Sequence, residues 1–168
     1  STPRHGNAAD PETAGVPSVS VLAFAYAPDV HFPEAPATTG HGWDVDVMVA
    51  GGGDRDRVEV LAPIIRAGFN VALYGGYWDR FRETRDAARG YLDAAALRQA
   101  TGVARVCLGL VRRANRDGHS MRTYEVPAMG GCLIAEDTAD HRALFGPDGD
   151  AVAYFPGPED VIEGGAAL

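Results

Sequence analysis

Between positions 112 and 125 the sequence reads RRANRDGHSMRTYE, gathering Arg112, Arg113, Asn115, Arg116, Asp117, His119, Ser120, Arg122 and Glu125 within fourteen residues. Guanidinium groups grip phosphate or carboxylate oxygens through forked hydrogen bonds, and carboxylates such as Asp117 and Glu125 accept hydrogen bonds from hydroxyls. The stretch follows directly on ARVCLGLV, a run of almost pure apolar character. Polar density just beyond an apolar strand favours a binding site. The competing reading is a solvated loop in which Ser120 caps the next helix. His119 has no second histidine or cysteine three or four places on, which argues against metal ligation.

A second cluster, AGGGDRDR at 50–57, leaves one apolar run and enters another with helical spacing. Its glycines let backbone amides approach a phosphate at the positive end of a helix, and Arg55 and Arg57 could add charge-assisted contacts. The string is neither a GxGxxG fingerprint nor a Walker loop, so a plain strand-to-helix turn is an equal alternative. In YGGYWDRF, Tyr77 and Trp78 could stack on a base or sugar, although packing beneath a loop is the more common use of such aromatics.

The elements that would position these groups follow from periodicity. VDVMVA at 45–50 is a buried strand, and RDRVEVLAPIIRAGF carries Val58, Leu61, Ile64, Ile65 and Phe69 at helical spacing, predicting a helix over about 56–67. NVALYGG is a second strand and DAAALRQAT a helix capped by Asp93; ARVCLGLV is a third strand. Then come a short helix limited by Pro127, the strand GCLIAE, the helix TADHRALF with His141 facing solvent, the strand AVAYF, and a helix opening at Pro158. Alternating strands and helices imply an α/β, Rossmann-like three-layer sandwich around a mostly parallel sheet. Ligands of such sheets sit beyond the carboxyl ends of the strands, which here means the loops 51–57, 75–78, 112–120 and 136–138. Residues 1–42 read as a linker or arm with one possible strand in VSVLAFAY, and 43–168 as the domain.

At 168 residues the chain has room for one such domain. Its 15 basic residues are all arginine, and 23 acidic ones leave a net charge of -8, which argues against a general nucleic-acid binder. No run approaches the roughly 18 apolar residues that span a bilayer, and no signal-peptide layout opens the chain, so the cytoplasm is the default compartment. Cys107 and Cys132 both lie in apolar runs and are expected to be buried free thiols.

From Trp43 to about 160 the order of segments resembles glycosyltransferases of the spore-maturation, CgeB-like type, within the family-one-like group of the GT-B fold. WDVDVMVAGGGDRDRVEVLAPIIRAGFNVALYGGYWDRF is similar to the opening strand, phosphate-side loop, helix and second strand of that group's C-terminal, donor-binding half. RGYLDAAALRQATGVARVCLGL is similar to its nucleotide-base segment, and NRDGHSMRTYEVPAMGGCLIAEDTADHRALFGPDGDAVAYF to its C-terminal part. The resemblance implies a nucleoside-diphosphate sugar as donor and a retaining transfer to an unknown acceptor. It also matches a Glu-x7-Glu motif, with Glu125 in the later position, on the ribose hydroxyls, and Asp117 in the earlier one, on the transferred sugar. Aspartate there is a departure from the motif. By the same resemblance Gly90, Tyr91 and Leu92 form the base pocket, Gly52, Gly53 and Arg55 lie near the diphosphate, as do the backbone amides of His119, Ser120 and Met121, and Arg122 belongs to the donor-binding set.

Fixed amides and arginines could neutralise the leaving diphosphate, so no obligatory metal is expected. The resemblance further implies that the N-terminal GT-B half is missing from this chain, that its C-terminal end is truncated, and that the fragment alone is inactive; the whole enzyme could act at the inner membrane. Two other classes fit the same pattern: a non-catalytic nucleotide- or sugar-sensing module, and a flavodoxin-like or receiver-like signalling domain.

Overall fold

The computed structural model of the chain describes residues 14, 15, 17, 18, 20, 22–34, 43–148 and 150–167. Five parallel strands form one sheet in the order β2-β1-β3-β4-β5: β1 (Val45–Ala50), β2 (Val71–Tyr74), β3 (Ala104–Gly109), β4 (Leu133–Glu136) and β5 (Ala153–Phe155). Val47 and Val49 of β1 face one layer and Met48 the other, and all three are buried. Both faces of the strand are therefore covered, which is why its sequence is an unbroken apolar run.

Helix α1 (Arg55–Arg66) lays Val58, Leu61 and Ile64 on the first face, joined by Val161 of α5 (Pro158–Ala167). On the second face lie Leu97 of α2 (Ala94–Val103), Val126 of α3 (Arg122–Ala128) and Phe145 of α4 (Ala139–Phe145). The three-layer α/β architecture is the one periodicity predicts. Asp54 and Asp93 cap α1 and α2, accepting from Arg57 N at 3.0 Å and Ala96 N at 2.8 Å. α3 is limited to 7 residues, with Pro127 in its final turn.

Three expectations are corrected. The described part of VSVLAFAY, residues 20 and 22–26, makes no strand; Val19 and Val21 lie outside the described residues. Cys107 is buried, and desolvation pushes its thiol up to about 12, but Cys132, just ahead of β4, is exposed. His141 is fully buried rather than solvent-facing, because both ring nitrogens find partners inside. Its Nδ1–H donates to Glu136 O at 2.7 Å and Nε2 accepts from Thr123 Oγ1 at 3.0 Å. That pairing satisfies the imidazole and ties α4 to α3.

Candidate functional site

The loops that follow β1 and β2 touch so closely that two of their glycines, Gly53 and Gly75, leave no room for a side chain. Gly75 has φ +117°, and a Cβ there would stand 2.5 Å from Gly51 O. A Cβ on Gly53 would come within 2.7 Å of the Trp78 ring. Trp78 is itself buried under the turn, its indole N–H donating to Gly51 O at 2.8 Å, so of the adjacent aromatics it takes the packing role. Tyr77 is half exposed and left-handed at φ 76°, with the Arg80 guanidinium 4.2 Å above its ring. The other left-handed non-glycine residue among the described ones is Arg116, in the loop after β3. Both strained positions thus lie at the carboxyl end of the sheet, the kind of place where strain accompanies function.

Among the cavities that open there, two share a wall. The first, about 210 Å³, lies between β1 and β3 and is lined by Arg57, Arg112, Asn115, Asp117, Ser120, Met121, Arg122 and Phe24. The second, about 370 Å³, lies over β1 and β2 and is lined by Gly52, Tyr74, Tyr77, Tyr91, Leu92 and Leu97. They share Ala50, Gly51, Arg112 and Arg122, so two guanidiniums stand on the common wall.

Arginines gather here because strand ends expose carbonyls. Arg57 donates to Gly52 O at 2.7 Å, Leu110 O at 3.0 Å and Val111 O at 3.4 Å. Arg112 pairs with Asp54 at 3.2 Å and reaches Gly52 O at 3.3 Å, and Arg122 Nε donates to Ala50 O at 3.2 Å. Burial pushes the Arg57 and Arg122 guanidiniums below their ordinary value. Arginine starts so high that both stay cationic at neutral pH.

The sequence-predicted residues divide into those the fold assembles and those it separates. Gly52, Tyr91, Leu92, Asp117, Ser120, Met121 and Arg122 line one cavity or the other. Gly53 lies beneath Trp78. Arg55 points away, 63% exposed, pairing with Glu83 at 3.6 Å and stacking 5.1 Å from the Phe81 ring. Glu125 is 1% exposed, one layer below the cavity, where Arg122 Nη1 forms an ion pair with its Oε2 and His31 Nε2 lies 3.5 Å from its Oε1. His119 is buried, with Nδ1 3.1 Å from Asp140 Oδ2. The Ser120 amide is committed to Thr123 Oγ1 at 3.1 Å.

Arg57 and Arg112 stand in the polar loops singled out from the sequence, but the family resemblance assigned neither of them a role at the site. Phe24 carried no signal at all, since it enters the wall from the N-terminal arm. Among the described residues no group of three or more His, Cys, Asp or Glu is placed to share a metal ion, and no helix is long and apolar enough to cross a membrane.

The comparison with curated proteins gives no match. Among solved structures the fold is similar to that of a mutant T4 phage BGT in complex with UDP-glucose (TM-score 0.60, 14% identity, 95% of this chain and 48% of that one). It is also similar to TarM (TM-score 0.62, 10% identity, 99% and 35%). A third is AviGT4, a glycosyltransferase involved in avilamycin A biosynthesis (TM-score 0.56, 14% identity, 96% and 52%). The chain thus spans about half or less of the length of these GT-B proteins. A family model described as glycosyl transferase-like matches residues 55–166, from the first turn of α1 into α5, and the chain belongs to that family.

Proposed function

We propose that the chain is the donor-binding domain of a retaining glycosyltransferase that takes a sugar from a nucleoside diphosphate. The observation that carries this reading is the pair of cavities with Arg112 and Arg122 on their common wall. A nucleoside-diphosphate sugar has an aromatic base at one end, a polyhydroxylated ring at the other, and two negative phosphates between. The second cavity offers Tyr77, Tyr91 and Leu92 to the base, and the first offers Asn115, Asp117 and Ser120 to sugar hydroxyls. The shared guanidiniums would meet the diphosphate as it passes from one cavity to the other. UDP-glucose in the T4 phage protein supports a ligand of this class.

Asp117 is then the sugar-side carboxylate. Glu125 takes the ribose hydroxyls in exchange for its present contact with Arg122, which would release that guanidinium toward the phosphates. Charge developing on the leaving diphosphate is met by fixed cations, so turnover of the whole enzyme needs no divalent metal. The acceptor would be supplied from across a cleft by a further domain.

The test is titration calorimetry with UDP, GDP, ADP and dTDP and their glucose conjugates, in EDTA and in magnesium, using the chain and Arg112→Ala. Binding of one base series, retained in EDTA and weakened about tenfold or more in Arg112→Ala, is expected from loss of one charge-assisted contact. Binding of none of these compounds by the folded protein, or binding that requires magnesium, would overturn the reading.

A further inference from the structure

The N-terminal arm is neither a strand nor a free linker between residues 22 and 34. It lies over α3 and the first cavity, fastened by a residue far away in sequence. Arg98, on α2, places Nε and Nη2 each 2.8 Å from Glu34 Oε1, donates from Nη1 to Val30 O at 2.8 Å, and stacks 4.2 Å from the Phe32 ring centroid. Its side chain is 13% exposed. Pro33 packs against Gly130, just past the end of α3. One guanidinium thus holds the arm through charge, backbone and ring contacts at once.

What the arm covers is polar. His31 Nδ1 accepts the Ala27 amide at 3.1 Å, so its Nε2 carries the proton and faces Glu125 Oε1 at 3.5 Å. Phe24 meets His119 edge to face, with centroids 5.7 Å apart, and also lines the cavity beside Asp117. The His119 Nδ1–H is spent on Asp140, and among the described residues its buried Nε2 has no hydrogen-bond partner. A buried imidazole nitrogen left unpaired is costly, and native structures seldom retain such a group without use for it. Asp117 and Ser120, on either side of His119 in the chain, both line the cavity that Phe24 closes.

We propose that residues 22–34 form a strap which, docked through Arg98, covers Glu125 and His119 and must lift before a nucleoside-diphosphate sugar can engage them. The inference rests on the donor-site reading for the identity of the ligand, and on the arm's own contacts for the cover. Lifting frees the Glu125 carboxylate from His31 for ribose hydroxyls. It also presents His119 Nε2, an acceptor whose tautomer Asp140 fixes, to a hydroxyl of the ligand. The docked strap therefore competes with the ligand, and weakening the latch strengthens binding.

The test loosens the latch from both sides, with Arg98→Ala on α2 and Phe32→Ala on the strap. One readout needs no nucleotide: the rate of His119 carbethoxylation by diethyl pyrocarbonate, mapped by peptide mass. A rise of tenfold or more in both variants, with an unchanged melting midpoint, is expected; an unchanged rate in both overturns the cover. The second readout is UDP affinity by calorimetry, expected to tighten at least threefold in both variants. Unchanged or weaker binding with His119 opened overturns the competition and makes the strap a wall of the site. Absence of UDP binding in wild type and variants alike, with His119 opened, sinks the donor-site reading while the cover stands.

Discussion

The two cavities that share the Arg112 and Arg122 wall are built by different means. Around the one over β1 and β2 the hydrogen bonds are mostly those of backbone: Gly51 N to Tyr74 O at 2.8 Å, Gly53 N to Gly76 O at 2.9 Å, Gly75 N to Gly90 O at 2.7 Å. Trp78 plugs the space beneath. Around the one between β1 and β3 the bonds come from side chains, Arg57 and Arg122 to strand-end carbonyls and Arg122 to Glu125, His119 to Asp140, Asn115 to Asp117, with the strap across them. A ligand entering the backbone-built side finds its wall already formed and orders little. One entering the side-chain-built side must exchange existing pairs for its own. The first region is thus suited to supply affinity, and the second to decide when and for which sugar that affinity is used.

Removing the plug is the most severe way to break this contrast. Trp78→Ala deletes a fully buried indole and orphans Gly51 O, and should cost about 4 kcal/mol. Urea unfolding followed by circular dichroism measures it. A loss below about 1 kcal/mol would mean that the β1–β2 loops hold their shape without the ring, and the preformed character of that cavity would be wrong.

Ligand titrations sharpen the contrast at the next level. Tyr91 is 80% exposed, and on the proposed reading it gains its partner only when a base stacks on it. Tyr91→Ala should weaken UDP and UDP-glucose alike, by about tenfold, the scale of one base–aromatic stack. Asp117→Asn should leave UDP unchanged and weaken UDP-glucose alone by a few-fold, since it removes an acceptor facing only the sugar side. Equal effects of Asp117→Asn on both ligands would move that carboxylate to the diphosphate.

How much of this could be read before folding differs between the same two regions. Strands β1 and β3 announce themselves as apolar runs, and Asp93 and Pro158 mark helix starts, because those signals are local. Which of Arg55 and Arg57 would enter the site was not local. The carbonyls that draw Arg57 inward, Leu110 O and Val111 O, lie more than fifty positions away in the chain. Asp117 and Glu125 stood out by type and spacing, yet their surroundings depend on Arg122 and on an arm nearly a hundred residues upstream. His141 misled for a related reason. Its neighbours Asp140 and Arg142 look like a solvated turn, and only the distant Thr123 and the Glu136 carbonyl make a buried imidazole affordable.

That buried imidazole gives the smallest expected effect and separates the scaffold from the site. Desolvation, the largest influence, holds His141 below its ordinary value, with the backbone bond to Glu136 and the carboxylates of Glu136 and Asp140 opposing it and His119 adding to it. The folded state therefore binds a proton at this position less readily than the unfolded chain. Stability from His141 is complete above the unfolded value of about 6.5 and declines as pH falls below it, levelling off only beneath the folded value. One proton can contribute a slope of at most about 1.4 kcal/mol per pH unit. In His141→Gln the amide keeps some of the contacts to Glu136 O and Thr123 but cannot titrate, so this part of the slope should vanish while absolute stability falls at every pH. Urea midpoints at pH 7.5, 6.5 and 5.5 for both proteins supply the comparison. Parallel curves would show that the acid sensitivity belongs to groups other than His141, and the buried imidazole would then be a neutral tie between α3 and α4 with no part in the pH dependence of the scaffold.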